Sequence, residues 1–375
     1  MFTLSREPRN NITDCGAIAP IGVAPRVSEE MLDEDTLSTV TNSRPPSMAD
    51  VAALAGVSHQ TVSRVLNGNA HVRPETRDRV ASAIDQLGYR RNQAARTLVT
   101  SRSATIGIVA TNTTHFGPAS TVLAIELAAR QADLFVSIAT LTSWAPRDVA
   151  SAIDQLMSQG VDGIVVVAPI ADVARELDRL STRIPIVAVA ARRNAPTDSA
   201  VAYVSVDQHA GASRATRHLL DLGHTKLAHI AGPPGWFDAT ERARGFAEQA
   251  ATSGAQTMTV RADGWDARCG FEAGLRLVDE VTAGRVTAVV AGNDYLALGA
   301  IRALGERRIR VPHDVSIVGF DDIDGSAFLV PALTTVHQPF ADLGGVAIDT
   351  LLGRHAPAQI VPEVVVRESA TLARS

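Results

Sequence analysis

Six of the nine residues in the stretch HQTVSRVLN, namely His59, Gln60, Thr61, Ser63, Arg64 and Asn67, carry hydrogen-bonding side chains, and none of the nine is acidic. Such groups read nucleic-acid bases: Gln pairs with an adenine or guanine edge, and Arg binds guanine or a phosphate. A second set of polar residues follows apolar runs. Asn293 and Asp294 end AVVAGND, and Asp321 and Asp322 end VSIVGFDD. Arg242 lies in a Gly/Pro-rich loop leading into a helix, and Trp265 sits in ADGWDARCG. Polar groups at the carboxyl ends of strands emerge at the rim of a sheet, where ligands bind. Asp294 and Asp322 are expected instead to cap helices.

The first set requires a helix that stands on another. From Met48, the sequence MADVAALAGVSHQTVSRVLNG puts Val51, Leu54 and Ala55 on one helical face and Val57, Val62, Val65 and Leu66 on a second, with Gly56 breaking the chain between them. Ser58 is a natural N-cap for the second helix. Two short helices meeting at a tight turn are what presents a helix's first turns to the major groove. Pro74 opens a third helix with Val80, Ile84 and Leu87 inward and Gly88 ending it.

The second set requires strands. From Ile106 onward, IGIVA, FVSIAT, GIVVVA, PIVAVA, KLAHIAG, AVVAGND and VSIVGFDD alternate with amphipathic stretches such as Ser120 to Gln131 and Val149 to Gln159. Such alternation implies parallel sheets covered by helices on both faces. About 270 residues of it are too many for one small sheet, so two lobes with a ligand cleft between them are expected.

The chain has 375 residues, 46% of them hydrophobic and 20% charged. No apolar run approaches the roughly 18 residues a membrane helix needs, so no membrane partner is expected. Neither Cys15 nor Cys269 has a Cys or His at metal-ligand spacing. Hence no disulfide framework, metal or cofactor is expected, and a reducing cytoplasm fits. The net charge of −5 argues against nucleic acid only as an average. Residues 44–102 hold nine Arg against Asp50, Glu75, Asp78 and Asp85, a net +5, between a −4 segment at 1–43 and a remainder of −6.

Residues 1–44 show no sustained period and are expected to form a disordered tail, without the basic and apolar regions of a signal peptide. No GxSxG elbow, P-loop or HExxH is present, so an enzyme is not expected. His218, His224 and His229 are read as structural or surface residues.

The stretch DVAALAGVSHQTVSRVLNG resembles, nearly residue for residue, the opening signature of the LacI/GalR family of bacterial transcriptional repressors. The likeness continues through RPETRDRVASAIDQLGYRRNQAARTL and, more loosely, to about Ala370. The resemblance implies an all-α helix-turn-helix head over 45–90 and a hinge helix or linker over 91–103. An α/β periplasmic-binding-protein-like core of two doubly wound parallel-sheet lobes then follows over 104–375. The chain would cross between lobes three times, with an N-lobe of about 104–206 and 338–367 and a C-lobe of about 207–337 and 368–375.

The resemblance also implies DNA contacts at Ser58, His59, Gln60, Thr61, Ser63, Arg64 and Asn67, with His59 and Gln60 where family members discriminate operators. Met48, His71 and Asn92 are expected to contact DNA as well. Asn92 to Leu98 is similar to the family's hinge helix, in which Ala95 would let two hinge helices pack and Leu98 would wedge into the minor groove. So short a helix is unstable alone, and wedging between base pairs costs a few kcal/mol. The segment should therefore order only on DNA in a dimer.

In the core, Asp238, Arg242, Trp265, Asn293, Asp321, Gln338 and Phe340 fall on positions that line the effector cleft of family members. Carboxylate, amide and guanidinium groups beside an aromatic face suit a sugar, whose hydroxyls take paired hydrogen bonds while its C–H face packs on an indole. Two departures bear on the effector. Ala190, followed by Ala191, stands where sugar-binding relatives carry an Asp that reaches the ligand. The segment HFGPAS (115–120) lacks the paired aromatics of purine-binding relatives, and its Gly117-Pro118-Ala119 turn resembles the galactoside-responsive branch.

No Leu heptad tail follows the core, so a homodimer is expected. The expected function is repression of carbohydrate-utilisation genes from a pseudo-palindromic operator, controlled by a small sugar-type effector such as a galactoside. The alternatives are a two-lobed sugar receptor without a transcriptional role and, for the effector, a nucleoside or purine.

Overall fold

The computed structural model describes residues 44, 46–66, 68–69, 71–90, 102–111, 115–141, 145–167, 170–177, 182–191 and 200–374. Residues 1–43 of the expected tail, Asn67, and the hinge segment with Asn92, Ala95 and Leu98 lie outside the described residues. The chain divides into two compact units, Met1–Arg91 and Asn92–Ser375.

In the first unit, α1 (Met48–Ala55), α2 (His59–Leu66) and α3 (Pro74–Leu87) enclose a core centred on Val51, Val62 and Val80. Ser47 caps α1 reciprocally with Asp50, its backbone N–H donating to Asp50 Oδ2 at 2.8 Å. Gly56 ends α1 at φ +63°, a left-handed conformation that a side chain would strain. The inward face of α1 is Val51, Ala52 and Ala55; Leu54 is 50% exposed, contrary to the sequence expectation. Ala52 and Ala55 join Val51 in the buried core of the head, and the leucine is left outside.

The second unit holds two six-stranded sheets. The first runs β11-β5-β4-β3-β1-β2, all parallel, from β1 (Thr105–Thr111), β2 (Phe135–Leu141), β3 (Gly163–Val167), β4 (Ile186–Val189), β5 (Val201–Val206) and β11 (Gln359–Ile360). The second runs β12-β10-β9-β8-β6-β7, from β6 (Lys226–Ala231), β7 (Gln256–Arg261), β8 (Ala288–Ala291), β9 (Ser316–Asp321), β10 (Thr334–His337) and β12 (Glu363–Val365). Among the described strands of this second sheet, only the β10–β12 pair is antiparallel. Central strands such as β3, β8 and β9 are buried along their whole length, as sheets covered on both faces require.

Helices α4 (Phe116–Gln131) and α11 (Phe340–Leu351) pack together on the first sheet. α7 (Gln208–Asp221) and α8 (Phe237–Thr252) cover one face of the second sheet, and α9 (Ala267–Thr282) and α10 (Asp294–Glu306) the other. The remaining helices are α5 (Pro146–Ser158) and α6 (Ala171–Leu177), on the opposite face of the first sheet. The chain passes from one sheet to the other between β5 and α7, between β10 and α11, and between β11 and β12. The last crossing comes earlier than expected. β12 already belongs to the second lobe, because Val364 and Val365 pair with Val336 and Thr335, so residues 363–367 leave the N-lobe assigned to them. Among the described residues, no helix is long and apolar enough to cross a membrane.

Candidate functional site

The recognition surface is built by the cap of α2. Ser58 Oγ accepts from Thr61 N–H at 3.2 Å and lies 2.9 Å from Thr61 Oγ1, so these two hydroxyls hold the helix start. Val62 is buried in the core, and that anchors the rotation of α2. His59, Gln60 and Arg64 then project on the exposed side, with Thr61 and Ser63 half-buried. His71 is exposed beyond the helix, its backbone N–H bonded to Asn69 Oδ1 at 3.0 Å. Met48 differs: it is half-buried and packs against the head's core.

All seven residues expected at the effector cleft, Asp238, Arg242, Trp265, Asn293, Asp321, Gln338 and Phe340, line one cavity of about 370 Å³ between the two lobes. Each comes from a strand end, a crossing or the helix that follows; Arg242, expected in the loop before its helix, lies inside α8, which already begins at Phe237. Asn293, after β8, caps α10 through Oδ1, which accepts from Leu296 N–H at 2.8 Å, and its amide donates to Trp265 O at 3.1 Å. Trp265 fits at the rim because glycine, at position 232, follows β6; a Cβ there would lie 2.2 Å from the indole. Asp321 ends β9 at φ +111°, a left-handed conformation worth about 1–3 kcal/mol of strain that the surrounding bonds must over-determine.

Those bonds centre on Arg242, which is 4% exposed. It donates from Nε to Gln208 Oε1 at 2.8 Å, from NH1 to Gly292 O, and from NH2 to Asp321 Oδ1 at 3.3 Å. Its guanidinium also lies 3.7 Å from the Phe320 ring centre and 5.4 Å from that of Trp265. Burial pushes the Asp321 carboxyl up to about 7, with Arg242 opposing. Asp238 is raised by burial in the same way, with the charge of Arg242 the only opposing influence. The polar floor is faced by aromatic rings. Trp236 meets His115 edge-on at 5.9 Å and Trp265 at 5.7 Å, and Phe116 meets Phe340 at 5.8 Å. The buried Trp265 Nε1–H has no partner among the described residues.

Ala190 and Ala191, where a carboxylate was noted as missing, are wall residues of the same cavity, as are Gly117 and Pro118. Asp294 and Asp322 are not helix caps. Asn293 takes the cap position on α10, and Asp294, wholly buried, accepts from Ile323 N–H at 2.9 Å, Ser326 Oγ at 2.6 Å and Thr335 Oγ1 at 2.5 Å. Burial raises its pKa to about 6. Asp322 pairs with Arg367 at 2.7 Å and with His337 at 3.1 Å. His224 and His229 are structural: His224 bonds Thr287, Ser316 and Thr371, and His229 Nδ1–H donates to Val290 O at 2.8 Å.

Sequence reasoning missed Trp236, Gln208, His115, Ser205 and Tyr295, all of which line the cavity. Trp236 follows the carboxyl end of β6, so the rule that found Asn293 and Asp321 would have found it. Gln208 follows β5, a strand that had not been read, and so carried no such signal.

Known proteins place this geometry. The description "Bacterial regulatory proteins, lacI family" matches residues 47–92, and "Periplasmic binding protein-like domain" matches 216–373. The chain is 32% identical over 337 residues to the lactose operon repressor of Escherichia coli (strain K12), covering 88% of this chain and 92% of that protein. Among solved structures, the lac repressor dimer bound to operator and the anti-inducer ONPF superposes with a TM-score of 0.76 at 30% identity, covering 88% of this chain and all of that one. A complex of the transcriptional regulator CelR with cellobiose gives a TM-score of 0.62 at 30% identity, covering 86% and 99%. With a helix-turn-helix head and a two-lobed core both matched, and with identity sustained across nearly all of both chains, this protein belongs to the lacI family of bacterial regulatory proteins.

Proposed function

We propose that the chain is a cytoplasmic, homodimeric repressor of carbohydrate-utilisation genes, whose affinity for a pseudo-palindromic operator is controlled by a sugar-type effector. The observation that carries this reading is the convergence of Asp238, Arg242, Trp265, Asn293, Asp321, Gln338 and Phe340, drawn from separate elements, on one inter-lobe cavity. Carboxylate and amide acceptors, guanidinium and amide donors and a free indole N–H beside aromatic rings match a polyhydroxylated ring. No nucleophile–base pair is needed for this role: the ligand is bound and released, and only its unequal affinity for two lobe arrangements does work.

On the DNA side, His59 and Gln60 are assigned to base edges and Arg64 to guanine or phosphate. Ser58 and Thr61 act first as the cap and then as phosphate contacts. Met48, Ser63, Asn67, His71 and Asn92 complete the DNA surface, with Ala95 at the hinge pairing and Leu98 as the wedge. The alanines at 190 and 191 favour an effector with no hydroxyl directed at that wall.

The test has two arms. Duplexes selected from random sequence should yield a palindrome bound far more tightly than unselected DNA, measured by fluorescence anisotropy. A thermal-shift screen of mono- and disaccharides should find one that stabilises the chain by roughly 2.7 kcal/mol at 100-fold over its Kd and changes operator affinity. Sequence-independent DNA binding, or a screen in which no sugar shifts the melting, overturns the reading.

A further inference from the structure

The floor of the cavity contains a closed ring of hydrogen bonds. Arg242 Nε donates to Gln208 Oε1 at 2.8 Å, Gln208 Nε2 to Gln338 Oε1 at 2.8 Å, and Gln338 Nε2 to Asp321 Oδ1 at 2.7 Å. Arg242 NH2 closes the ring on the same Asp321 oxygen at 3.3 Å. All four side chains are only 4–5% exposed. The polarity of the ring is fixed. A guanidinium only donates, so Gln208 must accept from Arg242 through Oε1, and both amides are thereby oriented in one way whatever the protonation of Asp321.

The place of these amides in the chain matters more than their place in the cavity. Gln208 opens α7 immediately after the first crossing between lobes, and Gln338 is the second crossing, between β10 and α11. Two of the three crossings are thus joined to each other, and to the cavity's charged pair, through one side-chain amide. Lobe rotation is absorbed at such connecting residues. A rotation that separates the two crossings must break the bond between Gln208 and Gln338, two side chains that are only 4% exposed, and an unmade buried bond is expensive.

We propose that Gln208 is the positioning residue that ties Arg242 and Asp321 to the hinge, so that occupancy of the charged pair sets how the two crossings sit relative to each other. The proposal rests on the effector reading above. Without Gln208, Arg242 keeps Gly292 O and Asp321, and Gln338 keeps Asp321. Arg242 therefore stays over the cavity, and what is lost is the direct tie between the crossings.

The experiment needs neither sugar nor DNA. Hydrogen–deuterium exchange is followed on the full chain at residues 206–211 and 337–343 for the parent, Gln208→Met, Gln338→Met and the double variant. Gln208→Met keeps an unbranched side chain of similar length while removing both hydrogen bonds. It should raise exchange at both crossings about 5-fold, the equivalent of one hydrogen bond. In the Gln338→Met background the same substitution should add little, because the tie between the crossings is already broken there. Loosening confined to the start of α7, or effects of the two substitutions that multiply, overturns the proposal. Should Gln208→Met fail to fold, Gln208→Leu is read against the same outcomes. A negative result leaves the repressor reading standing, and a chain that answers to no sugar leaves the exchange result intact.

Discussion

Replacing Arg242 by Met keeps an unbranched side chain over the Phe320 and Trp265 rings and removes only the guanidinium. The lost effects can be sized separately. A desolvated cation at 3.7 and 5.4 Å from two aromatic centres is worth about 1–2 kcal/mol. Leaving Gln208 Oε1 and Gly292 O without their donor costs about 1–2 kcal/mol more. The Asp321 carboxylate loses its cation, and an uncompensated buried charge costs about 3–5 kcal/mol.

This last cost has an escape that makes it depend on pH. Asp321 already sits at about 7 because burial outweighs Arg242, and without Arg242 it rises further. A folded pKa above the unfolded one means the folded protein holds the proton more tightly. Stability therefore falls as pH rises from about 4 through the folded pKa, at roughly 1.4 kcal/mol per unit. Removing Arg242 extends that window upward. At about pH 5 the carboxyl is neutral in both proteins, so the variant should be weaker by only about 2–4 kcal/mol; at about pH 8 the gap should widen by at least ~1.4 kcal/mol. Urea denaturation at the two pH values, without sugar, reads both numbers. A gap equal at both, or wider in acid, refutes the pairing of Arg242 with Asp321. The same variant should bind any sugar found by the screen at least ~10-fold more weakly, from the loss of charged hydrogen bonds, while operator affinity is kept.

Three further outcomes are expected. Gln60→Ala should cost roughly 1–3 kcal/mol on the selected duplex and less on random DNA in an anisotropy titration; equal loss on both would remove Gln60 from base readout. Gly232→Ala puts a Cβ 2.2 Å from the Trp265 ring, and overpacking of that kind costs about 1–3 kcal/mol; a parent-like tryptophan emission spectrum together with an unchanged melting temperature would contradict the packing. Burial holds His229 at about 4, so its contribution to stability is present above about 6.5 and lost as pH falls through 4, about 3 kcal/mol over the window. Asp294 and Asp321, with raised folded pKa values, act in the opposite sense over the same range. His229→Leu should therefore gain on the parent as pH is lowered from about 7 to 4.5, and thermal melts that run parallel would rule this out.

The head was legible in the sequence almost completely, because each feature there is local: a cap, a glycine in the left-handed region, and a spacing of valines. Leu54 was misplaced because helical spacing alone cannot say which of two adjacent flanks touches the neighbour. In the core, continuous apolar runs found β1, β3, β4, β6, β8 and β9, and β2 was found as well. β7 was missed because, as an edge strand, it leaves Gln256, Thr257, Thr259 and Arg261 exposed. β12 was placed in the wrong lobe because three residues pairing with β10 leave almost no periodic trace.

The site shows the same division. Strand-end polar residues were readable, yet which of Asn293 and Asp294 would cap α10 depended on a backbone at φ −154°. That conformation turns the amide toward the helix and leaves Asp294 to hold the 323–326 loop. No local pattern carried Gln208, whose importance comes from partners 34 and 130 residues away in sequence.

The net charge of −5 misled for a physical reason that also predicts a measurement. At physiological ionic strength, exposed charges farther than about 8 Å are screened. A duplex meeting the recognition helix is therefore expected to respond first to the charges of the segment that carries that helix, the +5 of residues 44–102. Arg64, Arg73, Arg77 and Arg90 are exposed on the head, whereas Arg44 is already engaged with Asp50 at 2.9 Å. Each arginine that neutralises a phosphate contributes about 0.9 to the slope of log affinity against log salt. Substituting one such arginine should lower the slope by about that amount, and neutralising an exposed core carboxylate such as Glu363 should leave it unchanged. A slope that follows the charge of the whole chain would mean that DNA senses the core as well as the head.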